Sequence, residues 1–207
     1  MKLKVCGLKY QSNIEELISL SIDYMGFIFY KKSPRYIDNQ LDFDFMRSIP
    51  KHIKKVGVFV NESSYSIINT VGHYDLDLVQ LHGDESIDVC RELKPYAKII
   101  KAFQVDETFD FEILENYLPV VDYFLFDTPT KNYGGSGQSF NWQVLENYNY
   151  TTPFFLSGGI NEEHIDKIKS LQMPQLIAID INSKFETEPG LKNKQQINQF
   201  ILKTQLS

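Results

Sequence analysis

The sequence predicts an α/β fold closed as a (β/α)8 TIM barrel, one domain over residues 1–207. Three observations carry the prediction. Apolar or alternating runs of strand length alternate with helix-like stretches, which implies a parallel sheet because parallel neighbours need a crossover long enough to hold a helix. The alternation counts eight strand–helix units, roughly 20–30 residues apart, and continues to the end of the chain. The fingerprint GxGxxG does not follow the first strand, which weighs against an open doubly wound sheet.

The first unit pairs the strand KLKVC (2–6) with the amphipathic stretch NIEELISLSIDY (13–24), whose apolar residues recur at helical spacing. GFIFY (26–30) is the second strand, aromatic and β-branched, and FDFMRSI (43–49) reads as its short helix. VGVFV (56–60) precedes the helix SSYSIINTVGHY (63–74), and LDLVQLH (76–82) precedes SIDVCREL (86–93). AKIIKAF (97–103) is followed by the helix FDFEILENY (109–117), and VDYFLFD (121–127) by the weaker helix NWQVLENY (141–148). The last units are PFFLSGG (153–159) with EEHIDKIKSL (162–171), and LIAIDIN (176–182) with LKNKQQINQFILKT (191–204).

Composition bounds what such a barrel does. Hydrophobic residues make up 43% of the chain, charged residues 23% and aromatics 14%, enough apolar surface for one substantial core and against wholesale disorder. Twenty-one Lys and Arg against 27 Asp and Glu leave a formal charge of −6, so nucleic acid is not an expected partner. No stretch reaches the ~20 apolar residues of a membrane span, and strand-like sequence begins by residue 3. Neither membrane nor signal peptide is expected, and the expected compartment is cytoplasmic. Two cysteines, Cys6 and Cys90, and four scattered histidines supply neither a disulfide framework nor a four-ligand zinc site. Cys6 is therefore read as a lone thiol.

Chemistry in such barrels sits at the C-terminal ends of the strands and in the loops after them. Those ends bring Cys6-Gly7, Tyr30 with KKSPRY, Asn61, His82-Gly83, Phe103-Gln104, Asp127-Thr128, Ser157-Gly158-Gly159 and Asp180 with Asn182-Ser183 to one rim. Gly158 and Gly159 stand between a strand and a helix, where main-chain N–H groups approach an anion at the positive end of a helix dipole. Phosphate is the expected guest, since the loops after strands seven and eight recur as phosphate sites; the alternative is a plain tight turn. Gly134, Gly135 and Gly137, within TKNYGGSGQSF (130–140), read either as a loop that closes over ligand or as an ordinary surface loop. Arg35, near Lys31 and Lys32, offers a guanidinium suited to a carboxylate, against the alternative of a solvated loop. His82 is either a site residue or a strand-end histidine with internal partners.

Cys6 and Asp127 form the pair for proton transfer, one as base and the other as acid. A free thiol ionises near ~8.5 and a free aspartate near ~3.9, so work at neutral pH requires a site that moves those values. Together on a phosphate-binding rim they suggest an isomerase that moves protons without metal or cofactor.

In their order the motifs resemble the phosphoribosylanthranilate isomerase family of tryptophan biosynthesis. The matching segments are KVCGLK (4–9), GFIFYKKSPRYI (26–37), VGVFVNE (56–62), VQLHGDE (79–85), FDTPTKNYGGSGQSFNW (126–142), LSGGIN (156–161) and IDINSKFETEPG (179–190). The resemblance implies a cofactor-independent Amadori rearrangement of N-(5-phosphoribosyl)anthranilate to 1-(2-carboxyphenylamino)-1-deoxyribulose 5-phosphate. It implies Asp127 as general acid at the ribose ring oxygen, Cys6 as general base at C2, and Arg35 on the anthranilate carboxylate. Main-chain N–H groups around Gly158, Gly159, Ser183 and Lys184 would take the phosphate, His82 and Asp180 would join the substrate site, and the GGSG loop would cover it. The family usually reads serine-glycine where this chain has Ser183-Lys184. A lysine there costs on the order of 1 kcal/mol if its φ is positive; otherwise its ammonium adds a phosphate contact.

The expected partner is a small-molecule phosphosugar, and the chain is expected to be a monomer or homodimer. With a substrate that is itself anionic and a protein at −6, binding has to rest on local donors rather than on the global field. Competing readings are another phosphosugar barrel such as indole-glycerol-phosphate synthase, a non-catalytic phosphosugar-binding barrel, and a cysteine hydrolase. The first would use a lysine and glutamates at its strand ends, and the last lacks a histidine that sequence alone pairs with Cys6.

Overall fold

In the computed structural model, which describes residues 1–37, 41–129 and 141–204, eight parallel strands close into the predicted barrel. They are β1 (Lys2–Cys6), β2 (Tyr24–Ile28), β3 (Lys54–Phe59), β4 (Leu78–Leu81), β5 (Lys98–Gln104), β6 (Tyr123–Asp127), β7 (Phe154–Leu156) and β8 (Leu176–Ile181). Each pairs with the next, and β8 returns to β1 with Leu3 beside Ile179 and Lys4 beside Asp180. Outside the strands lie α1 (Gln11–Leu17), α2 (Phe43–Ser48), α3 (Ser64–Tyr74), α4 (Ile87–Leu93), α5 (Ile165–Ser170) and α6 (Lys194–Thr204).

The period-2 alternation of the strands builds two cores. Inward-facing Tyr24, Val56, Leu78, Ile100, Leu125, Phe155 and Ala178 fill the barrel, while Leu3, Val5, Phe27, Val79, Phe124 and Ile179 pack outward under the helices. Moving two residues up the inward face replaces apolar by polar side chains: Leu78 gives way to Gln80, Leu125 to Asp127 and Ala178 to Asp180. The barrel is thus apolar at its base and chemically equipped at its top.

At the base, three aspartates repeat one device. Asp23, Asp77 and Asp122 each accept a hydrogen bond from the main-chain N–H of the second residue of the preceding strand: Leu3 at 2.8 Å, Lys55 at 2.9 Å and Ile99 at 2.9 Å. This satisfies N–H groups at the strand entrances and ties β1 to β2, β3 to β4 and β5 to β6.

Several predicted boundaries move. The helix expected over 13–24 ends at Leu17, because Asp23 clamps Leu3 and Tyr24 already belongs to β2. The helices expected over 109–117 and 141–148 are 3-10 turns, Phe111–Asn116 and Trp142–Asn147. Their buried residues are Phe111 with Leu114 and Trp142 with Leu145, a spacing of three that the tighter helix aligns on one side. The helix expected from 191 begins at Lys194, because Leu191–Lys192 forms β10 of a small hairpin with β9 (Glu186–Glu188). Asn13 on α1 draws Lys192 into that extended backbone, accepting from its N–H at 2.8 Å and donating to its carbonyl at 2.9 Å.

Candidate active site

The polar top of the barrel opens into one cavity of about 740 Å³, counting its mouth, within the usual size of a small-ligand site. Of the predicted site residues, Cys6, Arg35, His82, Asp127, Gly158, Gly159, Asp180, Ser183 and Lys184 all line it. Gly134, Gly135 and Gly137 lie outside the described residues.

Cys6 closes β1 with its side chain inward, across from Gly26 on β2. Gly26 leaves the thiol its space, since a Cβ there would stand 2.7 Å from Cys6 Sγ. The chain then turns at Gly7, whose φ of +77° is left-handed and whose missing side chain admits Asn182 and Arg35. Two residues below the thiol on the same inward face lies Lys4, fully buried, with its Nζ 2.9 Å from Asp180 Oδ2. Burial pushes the Cys6 thiol above the ordinary cysteine value; Lys4 opposes that rise and Asp180 adds to it. Lys4 itself loses by burial, but Asp180 and Cys6 hold its ammonium above the usual lysine range.

Asp127 ends β6. One carboxylate oxygen, Oδ1, accepts from the Thr128 N–H at 2.8 Å, and Oδ2 stands 3.4 Å from His82 Nε2. Gln80 Nε2 lies 2.9 Å from His82 Nδ1; with the amide donating, the imidazole carries its proton on Nε2, facing Asp127. Burial raises the Asp180 carboxyl, Lys4 opposes this, and Asp127 adds to the rise.

The loops around His82 are fixed by a carboxylate that sequence reasoning missed. Buried Glu85 accepts from the N–H of Asn61 at 2.8 Å and of Gly83 at 3.0 Å, while Lys101 on the outer face of β5 stands 3.3 Å from it. Of the segment VQLHGDE, only His82 is predicted as a site residue from the sequence.

Arg35 is not a solvated loop residue. Its Nε donates to Glu186 at 2.9 and 3.1 Å, and its Nη2 also pairs with Glu186. Glu186 accepts in addition from Lys192 Nζ at 2.9 Å, and Lys192 donates to Asn182 Oδ1 at 2.6 Å. Burial alone would raise the Glu186 carboxyl, but Arg35 and Lys192 hold it below the ordinary range. The cluster of two cations and one carboxylate keeps a local positive charge at this side of the cavity.

Gly158 and Gly159 both have left-handed backbone, with φ of +96° and +61°, and a Cβ on Gly158 would fall 2.2 Å from Thr128 Oγ1. Their N–H groups, with those of Ser183 and Lys184, have no acceptor among the described residues. The expected helix dipole behind this loop is modest: a 3-10 turn, Glu162–His164, precedes α5, and Asn161 already caps it by accepting from the Glu163 N–H at 3.0 Å. What the loop presents to the cavity is therefore its own N–H groups rather than a helix dipole. Lys184 lies in a 3-10 turn, Ser183–Phe185, and the only described non-glycine residues with positive φ are Asn61 and Asp75. Lysine in place of the family's glycine thus costs no left-handed strain.

Comparison with known proteins agrees with this geometry. The family model described as N-(5'phosphoribosyl)anthranilate (PRA) isomerase matches residues 3–203. The N-(5'-phosphoribosyl)anthranilate isomerase of Parabacteroides distasonis is 43% identical over 206 residues, which cover 97% of this chain and 92% of that protein. The crystal structure of the Thermotoga maritima phosphoribosyl anthranilate isomerase superposes with a TM-score of 0.89 at 33% identity, covering 99% of this chain and 98% of its own. A phosphoribosyl anthranilate isomerase in complex with reduced 1-(o-carboxyphenylamino)-1-deoxyribulose 5-phosphate gives 0.85 at 30% identity, over 99% of this chain and 98% of that one. The chain belongs to the phosphoribosylanthranilate isomerase family, aldose–ketose isomerases of tryptophan biosynthesis.

Proposed function

We propose that this protein isomerises N-(5'-phosphoribosyl)anthranilate by an Amadori rearrangement in which Asp127 is the general acid and Cys6 the general base. The observation that carries the reading is convergence: a thiol, a carboxylate, a guanidinium and two pairs of main-chain N–H groups with no acceptor among the described residues line one cavity. Asp127 protonates the ribose ring oxygen, the bond from C1 to that oxygen breaks, and the nitrogen lone pair forms an open-chain Schiff base. The Cys6 thiolate then takes the C2 proton, and its electron pair moves to give an enolamine that tautomerises to the ketone. Substrate and product are isomers, so the atoms balance with no oxidant or reductant.

Binding follows the same layout. Arg35, its Nε edge fixed by Glu186, takes the anthranilate carboxylate. The N–H groups of Gly158, Gly159, Ser183 and Lys184 take the phosphate, with the Lys184 ammonium as a further donor. His82 holds the Asp127 carboxylate in its reacting orientation, and Asp180 acts through Lys4. The setting is the cytoplasm, as a monomer or homodimer that light scattering distinguishes.

The test is the loss of substrate fluorescence on adding purified protein in chelator-containing buffer. The wild type is expected to consume substrate rapidly, and folded Cys6→Ala and Asp127→Asn to be slower by orders of magnitude, on the order of 10²–10⁴. Near-normal turnover in either folded variant removes its assigned role. No loss with folded wild type leaves the non-catalytic phosphosugar-binding barrel.

A further inference from the structure

A lysine with no exposed surface is expensive unless it is paired, and Lys4 is paired with Asp180. It shares the inward face of β1 with Cys6, two residues along, and its ammonium is bonded to Asp180 of β8 at 2.9 Å, so that charge lies buried beside the buried thiol. Nothing in closing the barrel demands a cation at this level: the register neighbour of Lys4 on β2 is Tyr24, part of the apolar barrel core. Asp180 for its part leaves Oδ1 buried without a hydrogen bond, so the acceptor capacity around the ammonium is larger than the pair alone uses.

We propose that Lys4 is a positioning residue for the reaction: its ammonium is the counter-ion on which the Cys6 thiolate forms, and Asp180 keeps that ammonium in place while competing with the thiolate for it. The proposal rests on Cys6 being the base. The charge account around the thiol is Lys4 from β1 and Lys192 from β10 on the favourable side, and Asp180 from β8 on the unfavourable side. Asp127 and His82 act at Asp180, Glu186 and Arg35 act at Lys192, and beside the thiol β2 and β3 present the uncharged Gly26, Ile28 and Val58. When Cys6 releases its proton to solvent, the thiolate is balanced by the Lys4 ammonium; when it takes the C2 proton the thiol is neutral again. No other atom changes hands.

A device of this kind predicts opposite signs from two neighbouring substitutions, which a merely structural ion pair does not. Removing the cation raises the pH at which the thiolate appears. Removing the competing carboxylate lowers it, because Lys4 then has Cys6 as its sole anionic partner.

The experiment is the rate of iodoacetamide alkylation of the full chain as a function of pH, with peptide mass mapping so that only modification at Cys6 is counted and the buried Cys90 does not contribute. Asp180→Asn is expected to move the midpoint for Cys6 downward and Lys4→Met upward, each by about 1–3 pH units. Because Lys4→Met strands a buried carboxylate and threatens folding, the double variant Lys4→Met/Asp180→Asn, which removes both charges, is measured beside Asp180→Asn; its midpoint is expected above that of the single variant. Midpoints that stay at the wild-type value, or that move in the same direction for both substitutions, overturn the proposal. Turnover of Cys6→Ala separates the two claims: normal turnover there ends the reading of Cys6 as base whatever the midpoints do, while an inactive Cys6→Ala with unmoved midpoints ends only the role of Lys4.

Discussion

Replacing Gly26 by alanine puts a methyl group where the Cys6 thiol lies. The added Cβ would stand 2.7 Å from Cys6 Sγ and 3.0 Å from Cys6 Cα, against a comfortable separation of ~3.5–4.0 Å. Cys6 and Gly26 are register partners in adjacent strands, so the backbone cannot retreat without loosening the ladder. The side chain must therefore swing away by roughly 1 Å. Gly26 is not one of the glycines with left-handed backbone, so alanine is tolerated conformationally and the whole effect is steric. Overpacking on this scale costs about 1–3 kcal/mol of stability, and a base misplaced by ~1 Å loses up to about 10²-fold in rate. Urea unfolding followed by tryptophan fluorescence measures the first and the fluorescence-loss assay the second. Gly26→Ala with wild-type midpoint and turnover would refute the claim that this glycine exists to seat the thiol.

Three further expectations concern other parts of the molecule. Asp122→Ala removes the acceptor for the Ile99 N–H and is expected to cost about 1–3 kcal/mol in denaturant unfolding while leaving turnover per folded molecule unchanged; lost activity at full stability would contradict its placement at the barrel base. Hydrogen bonds from Lys55 and then Lys51 hold the Asp75 carboxyl at about 2, below its unfolded value, so the stability it adds is present above the ordinary carboxylate range and fades as pH falls towards 2. The group is partly exposed, so the effect stays below about 1 kcal/mol; Asp75→Asn, which tolerates the left-handed φ of this helix cap, should lose that pH dependence, and identical acid unfolding curves would refute it. Arg35→Ala is expected to weaken substrate or product binding in calorimetry by about 1.5–3 kcal/mol, and unchanged binding would return Arg35 to a structural partner of Glu186.

Much of this was legible in the chain because strands repeat with period two. Counting along LDLVQLH and VDYFLFD from Leu78 and Leu125 puts His82 and Asp127 on the inward face at the top, Cys6 ends the strand KLKVC, and all three line one cavity. What stayed hidden depends on contacts distant in sequence. Lys4 looks like any alternating strand lysine until its partner Asp180 arrives 176 residues later. Lys192 opens a stretch with helical periodicity that Asn13, again far away in sequence, pulls into extended form, where it pairs in a hairpin with the strand of Glu186. Short segments such as FEILEN cannot declare α or 3-10 by composition, because a spacing of three serves both.

The central claim is the division of labour between Asp127, which opens the ring, and Cys6, which takes the C2 proton. The most direct measurement is rapid mixing of substrate with each variant followed by borodeuteride trapping and mass-spectrometric location of the label. Cys6→Ala is expected to accumulate the open Schiff base and incorporate deuterium at C1, Asp127→Asn to trap no more than the enzyme-free control, and wild type to carry the label at C2 of the reduced ketone. Equal C1 trapping by both variants, or C2 label from Cys6→Ala at the wild-type rate, would contradict the assignment.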